Sequence, residues 1–380
     1  SLDESQQVSI KRDVNLLDGR TESKIALHEN QTQILARLEA LPDSQDKAFG
    51  YINFVNSVIQ ATNSQSRQRV SVDHLQPILE KALTVARAIK DGRAESFALG
   101  TLGQIYEMNG QYEQAISLTR NAQFVAQRVN AADSLYRWQW QNGRIFKAQG
   151  QIQLAITAYE QAIATLQTIR SDIIVANKDL QFDFRDSVEP VYRELIGLLL
   201  TNDQTISSKK SLSGLDDIAN DKQKQLTHSN SRSPFSSTSV LSANLPNTEK
   251  VLNILELLKL AELQNFFGDE CVQLAKEGLA TEPTGTMGGS NAIEPRAAVI
   301  YSVVLEDQTD LLVRLPNGTL KKYPVWLTTN GKREPATRQA MQQHIDRLRA
   351  LLEKRSTDEY LTEARALYDA LIRPMEGELN

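Results

Sequence analysis

The sequence predicts a mainly α-helical protein, in which a superhelix of paired helices is followed by a β-hairpin and helices that begin an α/β domain. Two observations carry this prediction. A pattern of small and aromatic residues recurs after 40 residues, and the periodicity changes from helical to strand-like near Ala297. A chain of 380 residues also exceeds the usual size of one hydrophobic core, so we expect at least two structural units.

Two segments carry the repeat most clearly. Counted from Gly103 and from Gly143, each has an aromatic residue at +3, glycine at +7, an apolar residue at +9 and alanine at +12 and +19. Small residues let two antiparallel helices approach closely, and the second glycine, Gly110 or Gly150, supplies the positive φ that ends the first helix. The pattern is typical of tetratricopeptide repeats, but its period of 40 residues exceeds the usual period of about 34. We therefore expect helices that are longer by roughly one turn.

The chain divides into five predicted parts. Residues 202–248 are rich in Ser, Asn, Lys and Asp and have almost no periodicity, which predicts a disordered insertion. Pro190 stands near the start of a further helix-like segment that precedes this insertion. The parts are an N-terminal segment with one helix at 1–47, repeats at 48–200, the insertion at 201–249, a last repeat or junction helix at 250–282, and the start of the α/β domain at 283–380.

The pattern of apolar residues changes twice after the insertion. Residues 251–267 are apolar on nearly every side of a predicted helix, so this helix must be covered all round, and we interpret it as a buried junction. Beyond Ala297 the pattern becomes strand-like. We predict strands at 298–305, 311–315 and 320–327, with a tight hairpin turn at 316–318.

Two amphipathic helices are predicted after the strands. The first is marked by apolar residues at Met341, Ile345, Leu348 and Leu352. The second is marked by Leu361, Ala364, Tyr368, Leu371 and Met375. Pro374 is expected to end or kink the second helix. Strands followed by helices indicate the opening of an α/β domain.

Composition excludes several classes of protein. The chain is 41% hydrophobic and 23% charged and has no stretch of about 18 uninterrupted apolar residues, so we expect no membrane span. Its formal charge of -5 gives no overall positive field that would attract nucleic acid. One cysteine and four scattered histidines lack disulfide and metal-ligand patterns, so we expect no metal or other cofactor and a reducing, cytoplasmic location. The chain begins at Ser1 without Met, so we expect a fragment or a processed piece.

Three stretches, in this order, resemble the CHAT proteins, whose name denotes caspase-like domains associated with tetratricopeptide repeats and which are common in cyanobacteria. Residues 182–192 (FDFRDSVEPVY) resemble the repeat that precedes the CHAT domain, and residues 258–267 (LKLAELQNFF) resemble the junction helix. The hairpin together with residues 367–374 (LYDALIRP) resembles the start of the CHAT domain itself. The resemblance covers roughly residues 80–380.

The resemblance implies a cysteine peptidase for the full-length protein. In that family a His and a Cys beyond the equivalent of Pro374 form a caspase-like dyad, in which the imidazole assists the thiolate that attacks a peptide carbonyl. Neither position exists in this chain, so we assign no catalytic residue to it. The remainder of the CHAT domain is an implied partner.

The lone cysteine and the histidines give no site of their own. Cys271 follows Asp269 and Glu270, and adjacent carboxylates disfavour the thiolate that a nucleophile needs, so we interpret Cys271 as a structural thiol. His344 lies beside the apolar side of a predicted helix and is interpreted as a boundary residue. No role is assigned to the remaining histidines, His28, His74 and His228.

The best candidate for a site is a surface of the repeats. Stacked repeats expose residues of their first helices on a concave face. In the second repeat these residues are Arg137, Trp140, Arg144 and Lys147, and the first repeat contributes Phe97, Gln104 and Glu107. A cationic stripe with an aromatic residue can bind an acidic peptide or a C-terminal carboxylate through charge-assisted hydrogen bonds and stacking. The alternative is a solvated helix face, with Trp138 or Trp140 packed in the core.

Two functional hypotheses of different classes follow. In the first, the chain is the partner-binding repeat arm and the non-catalytic N-terminal part of a CHAT-type cysteine endopeptidase, and partner binding is coupled to protease activity. In the second, it is a non-enzymatic repeat scaffold or adaptor with a degenerate protease domain. Both predict a protein or peptide partner, whereas the acidic total charge disfavours a nucleic-acid binder.

Overall fold

A computed structural model of the protein describes residues 24–64, 71–176, 188–212, 246–267, 297–329, 332–354 and 358–379. The chain divides into two compact units, Ser1–Val191 and Tyr192–Asn380, and each is described by itself. Helices predominate, and within the described ranges all strands belong to the second unit. The predicted fold class, mainly α-helical with a small antiparallel strand region and helices at the C-terminal end, is confirmed.

Unit 1 consists of helices that pack in consecutive pairs. They are α1 (Lys24–Ala40), α2 (Gln45–Ser64), α3 (Val72–Ala88), α4 (Gly92–Met108), α5 (Tyr112–Arg128), α6 (Ala132–Ala148) and α7 (Ile152–Ala176). Each helix packs against the next, and α4 also packs against α2 and α6. We call α2, α4 and α6 the A helices and α3, α5 and α7 the B helices. Pairs that stack through their A helices form the tetratricopeptide-like arrangement that the sequence predicted.

Connectors of three residues set the repeat period. Helices α3 to α6 have 17 residues each. The connectors place Lys90, Gly110, Asn130 and Gly150 in the left-handed region, with φ between 54° and 73°. In the second connector, the N–H of Gln111 donates to the carbonyl of Tyr106 at 2.9 Å, which closes a Schellman motif. Because a left-handed residue recurs every 20 residues, one helix pair takes 40 residues, as predicted.

The left-handed backbone at Lys90 has an energetic cost that glycine would remove. A Cβ is disfavoured in this conformation by about 1 kcal/mol, and the Lys90 side chain is exposed. We expect Lys90→Gly to raise the free energy of unfolding by about 1 kcal/mol, and Gly110→Ala to lower it by about the same amount. Urea unfolding followed by far-UV circular dichroism measures both changes.

Gly110→Ala is an informative counterpart because a Cβ at that position would meet no atom within 4 Å. Its effect on stability therefore reports the backbone conformation alone. Equal stability of Lys90→Gly and the native chain would show that the left-handed backbone at Lys90 has no energetic cost.

Small residues lie where the two helices of a pair come closest. Ala115 on α5 is fully buried, and a Cβ at Gly103 on α4 would lie 2.8 Å from Thr119 Oγ1. In the next pair, a Cβ at Gly143 on α6 would lie 2.8 Å from the ring of the fully buried Tyr159 on α7. These are the close approaches that the pattern of glycine and alanine predicted.

Adjacent A helices meet where Trp138 of α6 lies against Gly100 of α4. The indole is 5% exposed, and a Cβ at Gly100 would overlap with its ring atoms. The indole Nε1 donates to Ser96 Oγ at 2.9 Å, and Ser96 Oγ donates to the carbonyl of Ala122 on α5 at 2.9 Å. Gln141 Nε2 donates to the carbonyl of Gly100 at 3.1 Å. The contact joins three helices and fixes the register of α6 against α4.

A methyl group at Gly100 tests this contact. We expect Gly100→Ala to lower the free energy of unfolding by about 2 kcal/mol, because the indole of Trp138 must move and the strain outweighs the better helix propensity of alanine. Gly377→Ala is the matched control, since a Cβ there meets no atom within 4 Å, and its stability should be unchanged or slightly higher. A stable Gly100→Ala variant in urea unfolding would refute the proposed role of the contact.

Unit 2 contains helices, two small antiparallel sheets and short C-terminal elements. The helices are α8 (Glu189–Leu212), which begins at the end of unit 1, α9 (Asn247–Phe267), α10 (Arg338–Glu353), α11 (Tyr360–Leu371) and α12 (Glu376–Leu379). The strands are β1 (Val299–Val304), β2 (Thr309–Arg314), β3 (Leu320–Pro324), β4 (Trp326–Thr329) and β5 (Lys332–Pro335). Strands β1, β2 and β3 form one sheet in that order, and β4 pairs with β5.

Helix α8 is longer than the sequence predicted. α8 continues to Leu212, so its backbone is helical within the first part of the predicted insertion at 201–249. Residues 201–212 are mostly polar, which is why they give no amphipathic signal. The segment 213–245 lies outside the described residues. The five-part division of the chain otherwise stays a prediction.

α9 corresponds to the predicted junction helix. Within unit 2 it packs against β3, and Glu249 near its start accepts a hydrogen bond from Arg314 Nη2 on β2 at 2.9 Å. Val251 and Ile254 are fully buried, whereas Leu263 is 50% exposed. The helix is therefore covered on most of its sides, as its apolar composition requires.

The strand region follows the prediction up to Pro324. Gly318 has a φ of 83° in the predicted turn between β2 and β3. The predicted third strand at 320–327 is instead two strands, because Pro324 ends β3 and the carbonyl of Val325 accepts from the N–H of Ala336 at 3.0 Å. Strand β5 was not predicted, since its residues are exposed and carry no apolar alternation.

Helices α10 and α11 were both predicted, but their apolar stripes are only partly covered. Met341 on α10 and Leu367 on α11 are buried against β4 and its surroundings. Ile345, Leu352, Leu361 and Tyr368 are between 40% and 53% exposed. Pro374 lies in a 3₁₀ turn, Arg373–Met375, just after α11, so it ends the helix as predicted.

Candidate protein-binding surface

The A helices α4 and α6 carry corresponding stripes of side chains at spacing i, i+4, i+7, i+11 and i+14. This spacing places residues along one side of an α-helix. On α4 the residues are Arg93, Phe97, Gly100, Gln104 and Glu107, and 40 positions later on α6 they are Asp133, Arg137, Trp140, Arg144 and Lys147. Apart from the buried Gly100, all of them are half-buried or exposed. We call these two stripes together the A-helix surface.

Arg144 is fixed between the two helices. Its Nε and Nη2 donate to the two carboxylate oxygens of Glu107, each at 2.8 Å, and its Cζ lies 4.5 Å from the centroid of the Trp140 ring. The side chains of Arg144 and Glu107 are 26% and 15% exposed. A partly buried bidentate pair of this kind holds the planar guanidinium in one orientation. The structure thus brings the predicted Arg144 and Trp140 together and adds Glu107 as their partner.

The other predicted residues lie on the same helix. Arg137 is half-buried, with its Cζ 5.3 Å from the centroid of the Tyr136 ring. Lys147 is exposed and follows Arg144 by three positions, which puts it on the same side of α6. Of the two tryptophans that the sequence left open, Trp138 is the one in the core, and Trp140 is half-buried at the surface.

A second arginine at this surface was missed by the sequence analysis. Arg93 Nε and Nη2 donate to one carboxylate oxygen of Asp133, at 2.9 and 2.5 Å. Its Cζ also lies 5.2 Å from the ring of Phe49 on α2 and 5.1 Å from the ring of Phe97. A signal existed, because Arg93 and Asp133 have opposite charges at equivalent positions of successive repeats.

The two stripes have a positive balance of charge. They contain four cations and two carboxylates, although the whole chain has a formal charge of -5. The cations are Arg93, Arg137, Arg144 and Lys147, and the carboxylates are Asp133 and Glu107. A surface whose sign opposes that of the protein attracts acidic groups more strongly than its surroundings do.

The remaining sequence candidates lie on other elements or outside the described residues. Cys271 and His228 fall outside the described residues, and His28 lies in α1. His74 is exposed on α3. His344 contacts the buried carboxylate of Glu363 and so joins α10 to α11. Among the described residues, no group of three or more His, Cys, Asp or Glu side chains is arranged to hold a metal ion.

Asp310 and Tyr323 are among the groups of unit 2 whose pKa values are shifted by their surroundings. Burial raises the pKa of Asp310, which accepts a hydrogen bond from Gln308 Nε2 at 2.8 Å. Burial and the hydrogen bond that Tyr323 donates to Glu378, at 2.6 Å, raise the pKa of the Tyr323 hydroxyl to about 12. Both shifts arise from packing within unit 2.

In the described ranges, no helix is both long and apolar enough to cross a bilayer.

Comparison with known proteins gives distant structural similarity only. No protein-family profile and no curated protein matches the sequence. The chain is similar to BtubC (BKLC) from P. vanneervenii, with 13% identity and a TM-score of 0.33 over 77% of this chain and 98% of that one. It is also similar to the nearly identical TPR-like repeats of a kinesin light chain from Podosopora anserina, with 17% identity and a TM-score of 0.35 over 55% of this chain and 90% of that one. A variant of those repeats, in which methionine replaces one glutamine, has a TM-score of 0.36.

Proposed function

We propose that the helical repeats form a protein-binding arm, which holds an acidic segment of a partner on the A-helix surface. The observation that carries the proposal is Arg144, which Glu107 and Trp140 hold between two adjacent helices. An arginine that is already oriented loses little conformational freedom when it binds a further carboxylate. Lys147 and Arg137 lie beside it on α6 and supply additional positive charge.

The ligand fits best as an extended acidic peptide or a C-terminal carboxylate. Charge-assisted hydrogen bonds from arginine to carboxylate are short and strong, and the half-buried Trp140 keeps some apolar area for a neighbouring side chain. Phe97 adds a half-buried aromatic ring on α4. The single cysteine fits a reducing compartment, and we propose that the arm works in the cytoplasm.

Binding of a decaglutamate peptide tests this proposal. We expect the native chain to bind decaglutamate but not decalysine at about 50 mM salt, and the affinity to fall with rising salt. The double substitution Arg144→Gln with Lys147→Gln should weaken binding about tenfold, because two of the four cations of the surface are lost. Isothermal titration calorimetry measures the affinities.

A matched control removes the same charge from a B helix. Arg120 and Arg128 are exposed on α5, and their double substitution to glutamine should leave the affinity within about twofold. If this control weakens binding as much as the α6 variant does, affinity follows net charge and the A-helix surface is not the site.

We further propose that residues 283–380, the C-terminal part of unit 2, are the N-terminal, non-catalytic part of a CHAT domain of the type common in cyanobacteria. The order of a long apolar helix α9, a three-stranded meander and two helices that end before Pro374 supports this proposal. In this scheme, partner binding by the arm would be coupled to the activity of a caspase-like cysteine endopeptidase. The alternative is an adaptor with a degenerate protease domain.

Sequencing the parent gene beyond residue 380 separates these alternatives. The protease proposal expects a His followed by a Cys, each after an apolar strand, and loss of peptide cleavage when that Cys is replaced by alanine. Cys271→Ala is the control in the same extended protein and should retain cleavage. Unchanged cleavage without the downstream Cys, or the absence of the His and Cys, would leave the adaptor.

A further inference from the structure

We infer that the A-helix surface holds its ligand at two separate points, and that the ligand is an extended protein segment with two carboxylates about five residues apart. The inference rests on the proposed function and adds Arg93 and Asp133 to the residues that the sequence predicted. The first cluster consists of Arg93, Asp133 and Arg137, and the second of Glu107, Arg144 and Lys147.

The first cluster is built around Arg93. Its bonds to Asp133 use Nε and Nη2 and leave the Nη1 end of the fork for another acceptor. The rings of Phe49 and Phe97, whose centroids are 5.6 Å apart, contact the guanidinium. The Arg93 side chain is 47% exposed, so a ligand can reach it without rearranging the core. Arg137 lies one turn after Asp133 on α6.

The second cluster repeats this composition with different residues. Glu107 takes the place of Asp133, Arg144 the place of Arg93, and the aromatic face comes from Trp140. Each cluster contains two cations and one carboxylate, and therefore has one unit of positive charge in excess. A ligand with one carboxylate for each cluster balances the surface, whereas a single carboxylate leaves one cluster uncompensated.

Helix geometry gives the distance between the clusters. Arg93 and Glu107 are 14 residues apart on α4, and Asp133 and Arg144 are 11 residues apart on α6. At about 1.5 Å per residue, these separations correspond to about 21 and 16 Å along the helices. An extended chain advances about 3.3 Å per residue, so about five or six residues cover this distance.

The side chains between the clusters define what lies between the two carboxylates. Phe97 follows Arg93 by one turn, and Trp140 precedes Arg144 by one turn, so two half-buried aromatic rings lie inside the span. Half-buried aromatic rings keep part of their apolar surface accessible, and this surface favours apolar or aromatic ligand side chains. The ligand class is therefore an extended acidic segment with apolar residues between its two carboxylates.

Two synthetic peptides of equal composition test the inference on the full chain. Both have about 12 residues of Gly, Ser and Leu with blocked ends and two glutamates, placed about five positions apart in one peptide and adjacent in the other. We expect the spaced peptide to bind at least about fivefold more tightly in fluorescence anisotropy, because only it reaches both clusters. Arg93→Gln should abolish the difference and change the affinity for the adjacent peptide by no more than about twofold.

Arg87→Gln provides the control for loss of an exposed, carboxylate-paired arginine, since Arg87 on α3 is 60% exposed and pairs with Glu95. It should preserve the preference for the spaced peptide. Equal affinities of both peptides for the native chain would overturn the two-point inference and leave the proposed function standing. A preference that survives Arg93→Gln would also overturn it.

Failure of both peptides and of decaglutamate to bind would refute the proposed function itself. A single-stranded oligonucleotide of about 12 nucleotides serves as the competing polyanion at the same salt concentration. If it binds more tightly than the spaced peptide, the surface recognises phosphate and the assignment to a protein segment is wrong.

Discussion

Trp138 packs its indole against Gly100 on the neighbouring A helix, and the two helices approach there more closely than any residue with a Cβ would allow. Hydrogen bonds from Nε1 to Ser96 and from Gln141 to the Gly100 carbonyl fix the contact in rotation as well as in distance. The ion pairs at the two ends of the same helices depend on this register. A shift of α6 by one turn, about 5.4 Å, would separate Arg144 from Glu107.

Much of unit 1 follows from the sequence because packing restricts residue size. Residues such as Gly103 and Ala115 must have small side chains because two helices touch there, and small residues therefore recur at equivalent positions of the repeat. The left-handed connectors were recognisable only where they contain glycine, so Lys90 and Asn130 gave no signal. Arg93 was missed for another reason: its charge opposite to that of Asp133 was visible at equivalent repeat positions, but only the observed register of the two helices shows that the two side chains meet.

Unit 2 was predictable in order but not in detail. The turn at Gly318 and the end of a helix at Pro374 have local causes, which a sequence displays directly. The division of the third strand at Val325 depends on pairing with Ala336, a contact that no local pattern encodes. Strand β5 is exposed along its length and lacks the alternation by which strands are recognised.

The regular connectors make the arm modular. The pair of α4 and α5 is entered at Lys90 and left at Asn130 through left-handed turns, so residues 91–130 begin and end with equivalent backbone geometry. Duplicating such a block would keep the backbone geometry of the connectors and lengthen the arm by one pair. The new contact between A helices would, however, place Arg93 opposite a second arginine and Ala98 where Trp138 now packs. The length of the arm can therefore change in whole increments of one helix pair, but each added pair needs its own side chains at the contact with its neighbour.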